Sequence, residues 1–140
     1  MVNPNRPWVE SVLLERLRLE LADRPAALTA IAAIADCEGD LEDAAIDLAI
    51  RAGQQPDHSD GWLEGMAKRC RSVICTQVDL RQALTEDELL RATDLLEASR
   101  ICPPLLVLPV LLWVRQYGAE PFCQPLDRPT PLAPSPSDDL

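Results

Sequence analysis

The chain has 140 residues, with 13 basic against 23 acidic side chains, a net charge of −10 and a pI near 4.4. That length suits one domain able to bury well over half of the surface its unfolded chain exposes. The acidic balance works against non-specific nucleic-acid binding, which depends on Lys and Arg neutralising phosphates, and favours a neutral or basic protein partner. Aromatics are only 4% and glycines number 5, while Leu, Ala and charged helix formers dominate, so an all-α fold is expected in place of a sheet.

In chain order, Asn3 to Pro7 reads as an extended lead-in, with Pro7 in the first turn of a helix that runs to about Ala22. Val9, Val12, Leu13, Leu17 and Leu21 mark its buried face and Leu14 widens it. Asp23, Arg24 and Pro25 punctuate the chain. A second helix then spans Pro25 to about Cys37, and a third Leu41 to Ala52, both rich in Ala and so able to approach neighbours closely. Gly39 is the expected stop between them and Asp40 the N-cap of the third helix, with Glu42 and Asp43 in its first turn, where the helix dipole favours negative charge. Gly53 closes that helix.

After a loop over Gln54 to Ser59, a longer fourth helix is expected from about Asp60 to Asp79 or Leu80, anchored in its first turn by Trp62. Thr85 with Glu88 reads as a capping box and Leu84 with Leu89 as its hydrophobic staple, placing a fifth helix start there. Leu89, Ala92, Thr93 and Leu96 form its buried stripe, and Pro103 and Pro104 end it. A sixth helix follows to Tyr117, apolar on every side and hence the most buried, with Pro109 as a kink and Gly118 as its stop. The apolar run Ile101 to Val114 is too short for a bilayer span. From Ala119 onward six prolines in 22 residues read as an extended tail, its first part pinned by Phe122, Cys123 and Leu126.

Chemistry-bearing patterns are sparse. The single histidine, His58, sits in a loop beside Asp57, Ser59 and Asp60, and sequence adjacency does not supply the spatial convergence of a catalytic triad. Cys37, Cys70, Cys75, Cys102 and Cys123 are an odd count without paired short spacings, and Cys70 and Cys75, about 140° apart on a helix, do not chelate one zinc ion; core packing in a reducing cytoplasm is expected. No secretory leader, Gly-rich phosphate loop or histidine pair appears, so no cofactor, metal or catalytic residue is expected. Candidate partner-binding residues are the basic cluster Lys68, Arg69 and Arg71, the nearby Trp62, and Arg128, Pro131 and Pro134 in the tail, whose spacing matches a proline-rich ligand for an aromatic groove. Trp8 and Trp113 are further aromatic anchors near helix ends.

The stretch Ala35, Asp36, Cys37, Glu38, Gly39, Asp40, Leu41, Glu42, Asp43, Ala44, Ala45, Ile46 and Asp47, within residues 26–53, resembles the second half of ubiquitin-associated-like domains of the elongation factor Ts amino-terminal type. In that family a three-helix unit is a docking module, which implies a docking role for the first three helices here. Asp23, Arg24 and Pro25 stand where the family carries a glycine-containing loop. In length and composition the chain also looks like small helical proteins of cyanobacteria. The expectation is a single all-α bundle of about six helices over residues 1–118 and a partly disordered Pro-rich tail over 119–140. Its expected role is that of a cytoplasmic, non-catalytic protein-interaction module, an adaptor or assembly factor. The alternative is a nucleic-acid or translation-associated protein using the basic cluster.

Overall fold

The computed structural model describes residues 6–56 and 61–127, and among them the secondary structure is helical throughout. The elements are α1 Ser11–Glu20, α2 Pro25–Asp36, α3 Leu41–Arg51, α4 Trp62–Arg69, α5 Arg71–Thr76, α6 Val78–Thr85, α7 Leu89–Ser99, α8 Pro104–Tyr117 and α9 Ala119–Asp127. Nine helices thus stand among the described residues where six were expected. No strand does, and the only strand-like feature there is an isolated bridge between Trp8 and Asp40.

α8 is the axle of the body. Every residue from Leu106 to Val114 is buried, and α2, α3, α4, α7 and α9 all pack on it. The expectation of a buried last helix is met, and α8 runs unbroken through Pro109. Its neighbours α2 and α3 use small residues to come close: Ala27, Ala30 and Ala33 on α2, and Ala44, Ala45 and Ala49 on α3, are all buried. The fifth expected stripe, Leu89, Ala92, Thr93 and Leu96, is buried on α7 as its spacing implies.

The turn between α2 and α3 closes by two backbone bonds, Glu38 N–H to Ala35 O at 3.0 Å and Gly39 N–H to Ile34 O at 2.9 Å, with Glu38 at φ 56° and Gly39 at φ 89°. Asp40 then caps α3 by accepting the Asp43 N–H at 3.0 Å. A side chain at Gly39 would place its Cβ 2.5 Å from Val9 O, because the chain ahead of α1 lies against this turn. Val9 N–H donates to Gly39 O at 2.9 Å, Leu41 N–H to Pro7 O at 3.1 Å and Trp8 Nε1–H to Glu38 O at 3.2 Å. That pairing corrects the first helix. Pro7 does not open it, since residues 7–10 are spent on the turn, and α1 starts only at Ser11. Its buried face is Leu14 and Leu17, with Leu21 just beyond, while Val12 points outward at 78% exposure.

The expected fourth helix is broken twice, at Cys70 and at Gln77, whose φ −80° and ψ 108° are extended. A straight helix of about 20 residues would run about 30 Å in one direction, across the whole width of a small domain. Breaking it lets α5 meet α6, α7 and α9. The β-branched Val73, Ile74, Thr76 and Val78 lower helix propensity around the second break. The capping box also fails. Thr85 is the last residue of α6 and donates its hydroxyl to Arg81 O at 3.0 Å, while Asp87, at φ 58°, closes α6 through Asp87 N–H to Leu84 O and Glu88 N–H to Ala83 O. A C-terminal closure of α6 therefore takes the residues that the box would use, and α7 begins at Leu89 with no side-chain cap from Glu88.

Residues 119–127, expected to be extended, form α9. Phe122 and Cys123 are buried in the core, as the pinning by those residues implies, whereas Leu126 is half exposed. Cys75 is bonded to Cys123 in a disulfide, so its expected role as a merely packed thiol is corrected; the spacing of 48 residues lies far outside any short-range cysteine pattern. No helix among the described residues is long and apolar enough to cross a membrane.

Candidate docking surface

The residues singled out in the sequence do not converge. Lys68 pairs with Glu64 one turn back at 2.7 Å. Arg71 is turned inward, its Nε donating to Phe122 O at 2.9 Å and its guanidinium lying 4.7 Å from the Phe122 ring centre, so it clamps α9 to α5. Arg69 is exposed without an ion pair among the described residues, leaving one free cation where a cluster was expected. Trp62 opens α4 half-buried against the core, and Trp113 is buried, stacked on Tyr117 with centroids 5.0 Å apart and edge-on to Phe122. Of the three tryptophans only Trp8 is exposed, at 46%, and its backbone is held by Gln116. Arg128, Pro131, Pro134 and His58 lie outside the described residues. Among those described, no group of His, Cys, Asp and Glu is placed to hold a metal ion.

What the structure does bring together is a groove between the end of α1 and the start of α7. It has a volume of about 680 Å³, with Leu89, Leu90 and Leu95 along α7 and Glu20, Asp87 and Asp94 around them. The rim is held by ion pairs from arginines in three different parts of the fold. Arg115 of α8 donates to Asp87 at 2.7 Å, Arg16 of α1 reaches Asp87 at 3.4 Å and Glu20 at 3.2 Å, and Arg24 binds Asp94 through two bonds at 2.7 and 2.8 Å. Arg115 foremost, with Arg16, keeps the Asp87 carboxyl below its ordinary range, and Arg24 does the same for Asp94. Asp87 and Asp94 thus stay ionised and fixed.

Both α1 and α7, which contribute to this rim, also carry exposed apolar side chains. Leu19, next to Glu20, is 81% exposed, Val12 lies two turns earlier on the same stripe of α1, and Leu90 is 37% exposed. Single exposed leucines are ordinary; an exposed leucine in the wall of an apolar groove, as Leu90 is, marks a candidate docking patch. Sequence periodicity missed it because the ion pairs that draw its rim together across the fold join residues 28 to 71 positions apart, as in Arg115 with Asp87 and Arg16 with Asp87.

One buried carboxylate serves the scaffold. Glu42 of α3 accepts the Leu63 N–H at 3.3 Å, so it caps α4 from across the fold where Gly61 offers no side chain. Burial nonetheless pushes its pKa up. No family model, no curated protein and no solved structure matches the chain.

Proposed function

We propose that this chain is a non-catalytic protein-interaction module, an adaptor or assembly factor that docks an apolar segment flanked by basic residues in the α1–α7 groove. The observation that carries the reading is the apolar groove walled by Leu89, Leu90 and Leu95 and ringed by fixed charge, with Leu90 exposed in its wall and Leu19 exposed on α1. The net charge of −10 gives a basic partner its long-range attraction, while the leucines supply the contact area that holds it. The resemblance of residues 26–53 to ubiquitin-associated-like domains supports the same class of role, since the three-helix unit of that family is a docking module. The reading places the protein in the cytoplasm, where a disulfide such as Cys75–Cys123 is ordinarily transient and redox-sensing.

The test is retention of partners by the full chain against Leu19→Glu/Leu90→Glu, whose sites are exposed enough to leave folding unchanged. A protein retained by the first, lost by the second and released by raised salt supports the reading; identical retention by both, or none, overturns it. Single-stranded RNA titrated at two ionic strengths is the counter-probe. Steeply salt-dependent RNA binding that survives the double substitution would replace this reading with the nucleic-acid alternative.

A further inference from the structure

α9 is held less by its own sequence than by what crosses to it. It is nine residues long, carries Pro125 in its interior and buries only Phe122 and Cys123, so it has no means of standing as a helix once it leaves its neighbours. The ties that seat it on α5, α6 and α8 are the Cys75–Cys123 bond, the Phe122 ring set edge-on to Trp113 and Tyr117, the Arg71 clamp on Phe122 O, and the paired bonds from Arg81 to Asp127. Gly118, at φ 106°, is the joint between α8 and α9. α8 itself rests on α2, α3, α4 and α7, so the rest of the core keeps its packing when α9 swings out. The covalent tie is the one that thermal motion does not break, and Cys75, 7% exposed where Cys123 is fully enclosed, is its reachable end.

We propose that the Cys75–Cys123 bond is a redox latch on α9: its reduction by a dithiol lets α9 open as a unit apart from the rest of the fold, baring the buried Trp113 and releasing Arg71. A thiolate of the reductant attacks the Cys75 sulfur, the S–S bond breaks, and the Cys123 thiolate leaves and takes a proton. The reductant's second thiolate then attacks the reductant sulfur bound to Cys75, closing the reductant's own disulfide and expelling the Cys75 thiolate, which takes a second proton. The dithiol loses two electrons and two protons, and the protein disulfide gains both. With the bond gone, Phe122, Arg71 and Arg81 keep α9 seated for most of the time, and opening is a brief local excursion in which its helix melts and Cys123 meets solvent. With the bond intact, residue 123 stays tied to α5 and the seat stays covered. The latch stands apart from the docking reading, since the α1–α7 groove shares no residue with it.

The probe is dithiothreitol applied to the full native chain, followed by removal of the reductant without air, timed alkylation and tryptic mapping. Arg100 and Arg115 place Cys102 and Cys123 on separate peptides. Dividing the alkylation rate of each cysteine in denaturant by its rate in the native chain gives its protection. Static burial ranks Cys102, which keeps a little exposed surface, as the more reactive of the two. The latch predicts the reverse, with Cys123 protected at least about tenfold less than Cys102. Arg71→Met, which keeps an apolar stem while removing the bond to Phe122 O and the cation over its ring, should widen that ratio. Three outcomes overturn the proposal: a Cys75–Cys123 bond that dithiothreitol opens only in denaturant, a protection ratio under about tenfold in the reduced chain, or an Arg71→Met chain with the unsubstituted ratio. Leu19→Glu/Leu90→Glu should leave the ratio unchanged, so failure of the docking reading and failure of the latch are read separately.

Discussion

Opening the Cys75–Cys123 bond should cost the fold more than any one of the surface ion pairs. The bond spans 48 residues, and constraining a loop of that length in the unfolded chain is worth about 4 kcal/mol at 25 °C on the chain-entropy account. Other contacts keep α9 in place once the bond is gone: Phe122 is buried, Arg71 lies on its ring, and Arg81 binds Asp127 through two bonds at 2.6 and 2.9 Å. The native state of Cys75→Ala/Cys123→Ala should therefore keep its helical circular dichroism while its midpoint of thermal unfolding falls by roughly 10–15 °C, as expected for a domain of this size. The reduced unsubstituted chain, which retains both sulfur atoms in the core, should fall between the two. A drop of less than about 3 °C would refute the reasoning, because it would mean that the cross-link constrains little of the unfolded ensemble. Loss of helical signal before unfolding would refute it differently, by showing that the bond builds α9 instead of tethering it.

Gly39→Ala should lower stability by roughly 2–3 kcal/mol in urea titrations, since it forces a side chain onto φ 89° and against Val9 O, whereas Gly53→Ala, with open space around its Cβ, should cost about 1 kcal/mol. Glu42 has a folded-state pKa above its unfolded value, so its stabilising contribution is present below the unfolded carboxyl range and lost as pH rises through the folded value. The stability of the unsubstituted chain relative to Glu42→Gln should accordingly decline as pH rises above the ordinary carboxyl range of about 4, and a rise there would contradict it. Asp87 has the opposite sign: its pKa is lowered by Arg115 and Arg16, so its contribution is present above the unfolded value and lost as pH falls through the folded one. Asp87→Asn should flatten the acid limb of the stability curve below about pH 4, by under about 1 kcal/mol for so exposed a group, as followed by urea midpoints across pH.

Much of the helical framework is legible where a local pattern has no competitor. The stripe Leu89, Ala92, Thr93 and Leu96, the capping of α3 by Asp40 and the apolar α8 follow from neighbours within one or two turns. Expectation fails where distant residues claim the same atoms. The backbone of Pro7 and Val9 is taken by the turn at Gly39, so the first helix starts late and turns Val12 outward. The Thr85 hydroxyl is claimed by Arg81 O and the Glu88 N–H by Ala83 O in the closure of α6, which displaces the capping box. Tertiary demand likewise breaks the long fourth helix, bringing Cys75 to Cys123 and turning Arg71 from a candidate ligand contact into a clamp on Phe122. The β-branched run Val73, Ile74, Thr76 and Val78 is the one local sign of those breaks, and the docking groove had none, because its rim joins α1, α7, α8 and the α1–α2 turn.

The most direct test of the docking account is photo-crosslinking in the cell that makes the protein, with a photoreactive residue placed in turn at Leu19, Leu90, Ile50 and Val78, all of which carry exposed apolar side chains. The account predicts one protein adduct, formed from positions 19 and 90 and weak or absent from 50 and 78. Equal adducts from all four positions, or adducts from 50 and 78 alone, would contradict it.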